Sequence, residues 1–210
     1  IKIVVDSKKY KYSAEDVEFI ADEARKTGLK VMAHCQTADG VYSAVKGGVA
    51  SIEHGWNIPD SIIAMMKQKG IVLVSTDFPI KVLQAYGSKE ENAMTTHNKM
   101  IERLKRVYEG GVKIVFGSDL MVDVENCTRG TLAISYIDSF IEAGIPASEI
   151  LKIMTINAAQ LLGIEKERGV IAPGMYCDLI ATDENPSENI QTLKNVTLVM
   201  RNGIVYKDVR

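Results

Sequence analysis

Cysteine and histidine are both scarce in this 210-residue chain, at three each. The cysteines, Cys35, Cys127 and Cys177, are far apart and odd in number, and no Cys-x-x-Cys pair occurs. That excludes a thiolate zinc finger and a disulfide framework, and a reducing, cytoplasmic setting is the expectation that follows. No apolar run approaches the roughly 18 residues that a membrane span requires, and no basic start leads into an apolar stretch. Neither a membrane partner nor a signal peptide is therefore expected. A dominant charge is missing too: 25 lysines and arginines face 27 acids, a net charge of −2. So even a balance gives no electrostatic reason to expect nucleic acid or an anionic membrane as partner. No Gly-x-Gly-x-x-Gly follows a strand-like run and no Gly-x-Ser-x-Gly occurs, which disfavours a dinucleotide-binding sheet and a serine-nucleophile elbow. The chain opens at Ile1, within a strand-like run and without an initiator methionine, the pattern expected of a piece of something longer.

Hydrophobic residues make up 46% and charged residues 25%, the balance of an ordinary globular protein with one good-sized core or a core plus a small satellite. Over the first part of the chain, short apolar runs alternate with amphipathic helical patterns. Ile1–Val5 reads as a strand. Ser13 with Asp16 three residues on forms a capping-box signal for a helix carrying Val17, Ile20, Ala21 and Ala24, and Gly28 stops it. The strand Lys30–His34 follows, then a helix with Val41, Ala44 and Val45 that ends at Gly47-Gly48. Val49–His54 is a strand, Pro59 opens a helix with Ile62, Ile63 and Met66 inward, and Gly70 ends it. Ile71–Ser75 is nearly continuous aliphatic, as a strand covered on both faces is. Met94, His97, Ile101, Leu104 and Tyr108 mark one face of a long helix before a fifth strand, Val112–Phe116. Recurring strand and helix imply a parallel sheet, and without a dinucleotide fingerprint a barrel is preferred. Residues 127–163 read as two helical segments parted by Gly144-Ile145-Pro146. The tail is a β-rich unit punctuated by Gly169, Pro173, Gly174, Pro186 and Gly203, with strands at Asp178–Ala181 and Thr197–Met200.

Three residues share one topological position. His34 ends Val31-Met32-Ala33-His34, His54 ends Ser51-Ile52-Glu53-His54, and Asp119 follows Ile114-Val115-Phe116-Gly117-Ser118. In a (β/α) barrel the C-terminal strand ends face the active site, and two imidazoles with a carboxylate suit zinc or a similar divalent ion. Taken singly, a histidine at a strand end is more often a hydrogen-bonded polar residue, and an aspartate there a turn or helix cap. It is their agreement in position that points to chemistry. Three nearby candidates read as structural: His97 belongs to a helix stripe, Glu53 is expected to point away from His54, and strand alternation turns Cys35 off the His34 face.

These residues resemble a known family. Val31–His34 and Gly47-Gly48-Val49-Ala50-Ser51-Ile52-Glu53-His54-Gly55 are similar to the fifth and sixth barrel strands of amidohydrolases, and Phe116-Gly117-Ser118-Asp119 to their eighth. Thr155–Gly163 resembles the helix after the barrel, and Gly169–Ala181 with Val199–Gly203 the closing β-sandwich. The resemblance covers nearly the whole chain and is nearest to the branch of Xaa-Pro dipeptidases and zinc-dependent arginine/lysine carboxypeptidases.

The resemblance implies an α/β fold: the C-terminal part, about strands 4–8, of a TIM (β/α)8 barrel over residues 1–167, then a β-sandwich segment over 168–210. It implies that His34 and His54 ligate a second metal, and that Asp119 ligates and moves protons. Lys2 is similar to the fourth-strand lysine that is carboxylated in binuclear members. A divalent metal, zinc foremost, is the expected cofactor, two ions in the complete enzyme. The expected activity is amide hydrolysis in dipeptides or N-acyl amino acids by metal-activated water. A deaminase or cyclic-amide hydrolase, or a non-catalytic barrel, are the alternatives. The family's first-strand His-x-His occurs nowhere in the chain, so a further N-terminal segment is expected to supply it, and a homo-oligomer is expected. The loops 7–12, 77–89 and 121–129 are expected to line the mouth. There Asp77, Asp123 and Glu125 are candidates to receive a basic side chain, and Lys81 or Arg129 to hold a substrate carboxylate.

Overall fold

Capping and glycine stops lay out the first half of the chain, which the computed structural model describes over residues 1–7 and 9–210. Lys8, in the first of the expected mouth loops, lies outside the described residues. Strand β1 (Lys2–Val4) leads to helix α1 (Ala14–Lys26), whose Ser13 and Asp16 form the expected reciprocal capping box. Strand β2 (Met32–Cys35) is followed by α2 (Ala38–Lys46), capped by the Thr37 hydroxyl. Next come β3 (Ser51–His54) and α3 (Asp60–Lys69), which Gly70 closes in the left-handed conformation. Then follow β4 (Val72–Ser75), a short α4 (Ile80–Ala85), the long α5 (Glu90–Glu109) and β5 (Ile114–Phe116).

The five strands form one parallel sheet in the order β1-β2-β3-β4-β5. Its two faces differ in kind. Val5, Ala33, Cys35, Ile52 and Leu73 are buried in the main core with residues of α1, α2, α3 and α5. The register sets Lys2 against Met32, Val4 against His34, and His34 against Glu53. Alternation therefore puts Lys2, Val4, Met32, His34 and Glu53 together on the other, inner face. Among the described residues, β1 and β5 each have a neighbour on one side only.

The structure departs from the pattern reading in three places. The long helix buries Ala93, His97, Met100, Arg103, Leu104 and Val107, while Met94 is 48% exposed. The stripe is displaced because the helix buries the guanidinium of Arg103 as well as apolar groups. Residues 129–162 form four helices where two segments are expected: α6 (Arg129–Ile134), α7 (Ile137–Glu142), α8 (Ala147–Met154) and α9 (Ile156–Leu162). The added breaks fall at Ser135-Tyr136 and at Thr155, whose φ of −124° and ψ of −93° leave the helical region. Helix α4 lies in a stretch that reads as irregular.

The tail folds as an antiparallel sheet of β6 (Leu179–Thr182), β7 (Val196–Arg201) and β8 (Ile204–Asp208). Asn202 and Gly203, both at positive φ, make the β7–β8 turn. No helix among the described residues is long and apolar enough to cross a membrane.

Candidate metal and active site

His34 lies on the inner face of β2 because the register pairs it with Val4 and Glu53. His54 ends β3 one residue later than Glu53, so plain alternation would turn it outward. Its φ of 69° breaks that alternation. The His34 and His54 rings stand 4.5 Å apart, at 72° to one another. Asp119, three residues beyond β5, has a φ of 44°. Left-handed backbone at non-glycine residues costs on the order of 1–3 kcal/mol and clusters at functional sites. Here two such residues close the ends of two strands of one sheet.

Glu53 corrects an expectation. It does not sit on the far face from the histidines but shares the inner face with His34, where its carboxylate accepts from the Ser51 hydroxyl at 2.7 Å. Alternation holds as far as Glu53; it is the left-handed turn at His54 that departs from it. Burial raises the Glu53 carboxyl above its usual range, and the charges of Lys2 and Asp119 act on it as well.

The His54 Nδ1 lies 2.7 Å from the Thr76 hydroxyl, and its Nε2 is 3.8 Å from Asp119 Oδ2. That distance is too long for a hydrogen bond. Two donors of one tetrahedral ion with bonds of roughly 2.0–2.2 Å lie about 3.3–3.6 Å apart, so the pair stands a few tenths of an ångström wider than a shared ion requires. His54 is 3% exposed, and burial first, then the neighbouring His34, lowers its pKa to about 4. Burial lowers His34 as well, with Asp6 opposing. Both imidazoles are thereby held in the neutral form that binds metals. Lys2 belongs to the same inner face, and its charge acts on both histidines. Among the described residues no group of three or more His, Cys, Asp or Glu side chains closes on one point. The donors present fit a divalent cation in kind, and in the facing of His54 and Asp119, and they leave coordination positions to other groups.

The cavity above these residues has a volume of about 420 Å³; its wall is largely aromatic and apolar, with Trp56, Phe78 and Tyr86 prominent, and Gln36, Ser88 and Thr96 add uncharged polar groups. The Tyr86 hydroxyl donates to the Asp119 carbonyl and accepts from the Met121 amide, each at 3.3 Å. Phe78 and Tyr86 lie in the expected mouth loop 77–89 but are not singled out there, and Trp56 lies outside every expected mouth loop. The signal was Trp56, the chain's single tryptophan, two residues after His54.

Asp77 is a second correction: it does not face the mouth. It is buried, with its carboxylate held by Arg103 and by the Ser75 hydroxyl, while the Ser139 hydroxyl donates to its carbonyl at 3.0 Å. No basic substrate group can reach it. Asp123 and Arg129 pair with each other at 3.5 Å, and neither they, Glu125 nor Lys81 lines the cavity. Cys35 is buried on the core face with its thiol to the Gly40 carbonyl, as alternation predicts. His97 is structural as expected: Nδ1 donates to the Phe78 carbonyl and Nε2 meets the Glu142 carboxylate, both at 2.9 Å.

Residues 3–205 match the model of the amidohydrolase family. Over 202 residues the chain is 26% identical to ochratoxinase of Aspergillus niger, covering 93% of this chain and 42% of that protein. Among solved structures, a Xaa-Pro dipeptidase with bound methionine in the active site superposes with a TM-score of 0.85 at 31% identity, over 98% of this chain and 54% of that one. A prolidase complexed with N-methylphosphonate-L-proline gives 0.76 at 28% identity, over 94% and 50%. The chain thus spans about half the length of the relatives it matches.

Proposed function

The chain belongs to the amidohydrolase family, and from that premise we propose that it carries part of the active site of a metal-dependent hydrolase cleaving the amide bond of dipeptides or N-acyl amino acids. The observation that carries this reading is the pair His54 and Asp119, which face each other at 3.8 Å from the ends of two strands, both at positive φ. His34 and His54 would hold a divalent cation, zinc first by the donor set. Thr76 fixes the His54 ring so that Nε2 is presented to the ion, as groups bonded to the distal nitrogen of a ligating histidine do. Lys2, if carboxylated, would hold a second ion. A divalent cation at such a site polarises the scissile carbonyl and activates water at neutral pH.

Asp119 accepts the proton of the attacking water and delivers it to the leaving amine nitrogen. Its left-handed backbone holds the carboxylate at the rim, and the Tyr86 hydroxyl bonded to its carbonyl steadies that turn. Further sequence supplies the remaining barrel strands and a His-x-His pair. Residues 1–167 form this chain's part of the barrel, and 168–210 its part of a β-sandwich.

The test compares Asp119→Asn with His34→Ala and His54→Ala in the complete enzyme, reading bound metal and turnover side by side. Asp119→Asn is expected to keep the fold and an oxygen ligand but to lower turnover by about 10²–10⁴-fold, the usual worth of general acid–base catalysis. The histidine variants are expected to lose metal as well as rate. Near-normal turnover of Asp119→Asn with metal in place returns Asp119 to a turn-capping role.

A further inference from the structure

The aromatic wall has a direction. From His54 it runs to Trp56 at 5.8 Å between ring centroids, on to Phe78 at 6.3 Å, and to Tyr86 at 5.5 Å. All three spacings fall in the range of edge-to-face or tilted aromatic packing, about 4.5–7 Å. Tyr86 then returns to the Asp119 loop through its hydroxyl. The belt therefore spans from one candidate metal ligand to the other, and Leu83, Met100 and Met121 complete its apolar surface.

The wall is firmly backed. His97 holds the Phe78 carbonyl, and Ser139 that of Asp77. The Asp77 carboxylate is clamped by Arg103 from α5. The backbone presenting Phe78 is thus fixed from α5 and α7, and the ring itself is buried against Tyr136 at 6.0 Å.

Charge is nearly absent from this chain's share of the cavity. Among the described residues lining it, Asp119 is the one acid, and there is no lysine or arginine. Asp77 is consumed by Arg103. A guanidinium or ammonium entering here would lose its hydration without gaining an anion beyond the group already assigned to metal and proton, which is a large cost. A flat uncharged ring loses little and gains contact with three aromatic faces or edges.

We propose that the Trp56–Phe78–Tyr86 belt is the specificity pocket for an aryl or similarly large apolar side chain next to the scissile amide. This assignment rests on the proposed hydrolase site, and it replaces a basic side chain as the preferred substrate group.

The binding test uses amide-free ligands, so it does not depend on turnover. Calorimetry on the complete protein compares 3-phenylpropionate, 5-guanidinopentanoate and propionate, which are the deaminated forms of phenylalanine, arginine and alanine. The phenyl ligand is expected to bind at least tenfold more tightly than either other, since a well-filled apolar pocket discriminates by that order. Phe78→Ala should shrink the advantage. Met121→Glu, at a rim position 70% exposed where folding is not at stake, should shrink it too and favour the guanidino ligand. Equal binding, or tighter binding of 5-guanidinopentanoate to the unaltered protein, overturns the proposal. Hydrolysis of a dipeptide panel is read separately. Turnover without aromatic preference refutes the pocket alone. Absence of turnover beside a clear phenyl preference refutes the hydrolase reading alone.

Discussion

His54 and Asp119 show how single residues carry this account. Each adopts a backbone conformation that disfavours a side chain, and each gains from it a position facing the other. The sequence makes both visible as strand ends but does not show the reversal at His54, because φ is set by the turn into Gly55 and not by period-two alternation. Burial keeps His34 and His54 below their ordinary pKa, so the unprotonated, ligand-competent imidazole persists as the pH falls through 6.5. Metal uptake by the complete protein is accordingly expected to be nearly undiminished at pH 6, as equilibrium dialysis can measure. A steep loss between pH 7 and 6 contradicts the buried setting of the two rings. The residue most misread from sequence is Asp77. It follows a strand much as Asp119 does, but its partner Arg103 comes from α5, and no local pattern announces a buried ion pair. Breaking such a pair from one side leaves a buried charge alone. Arg103→Met is therefore expected to cost about 3–5 kcal/mol, seen as a lower denaturant midpoint with an unchanged slope. A loss below about 1 kcal/mol would mean that Asp77 is not ionised in the folded state.

Elements with local punctuation were legible, and elements without it were not. Strands β2 to β5 each follow a glycine stop, at Gly28, Gly48, Gly70 and Gly111, and α1 starts at its capping box, because these signals act over a few residues. Helices α6 to α9 blur into two segments in the sequence. Their breaks at Ser135-Tyr136 and Thr155 carry no glycine or proline and come from how each piece packs. Close packing between α1 and α2 gives a test at this scale. Gly47 has an ordinary helical φ of −71°, so alanine would be favoured there on chain entropy alone. An added Cβ, however, would lie 2.6 Å from Val17 Cγ1 and 2.8 Å from the Glu18 backbone nitrogen, and backbone does not yield cheaply. Gly47→Ala is expected to destabilise by about 1–3 kcal/mol through overpacking. Unchanged or improved stability in thermal unfolding would show that α1 and α2 are set further apart.

At the scale of the molecule, the five-stranded sheet is half of an argument. Its inner face carries Lys2, His34 and Glu53, its two outer strands lack a second neighbour, and the relatives it matches are about twice as long. Fold class and the strand-end positions of His34, His54 and Asp119 could be read from the sequence because both follow from strand order. The aromatic belt could be read only in part: Phe78 and Tyr86 lie in the expected mouth loop 77–89, whereas Trp56 comes from the loop after β3 and meets them only in the folded chain. We propose that this face, completed as a barrel, hydrolyses amides by means of a divalent ion. The most direct test is to strip the complete protein with a chelator and then restore one divalent metal at a time, following bound metal and dipeptide turnover together. Turnover is predicted to disappear with the metal and return in proportion to the ion rebound at His34, His54 and Asp119. Undiminished amide hydrolysis by metal-free protein would contradict the account.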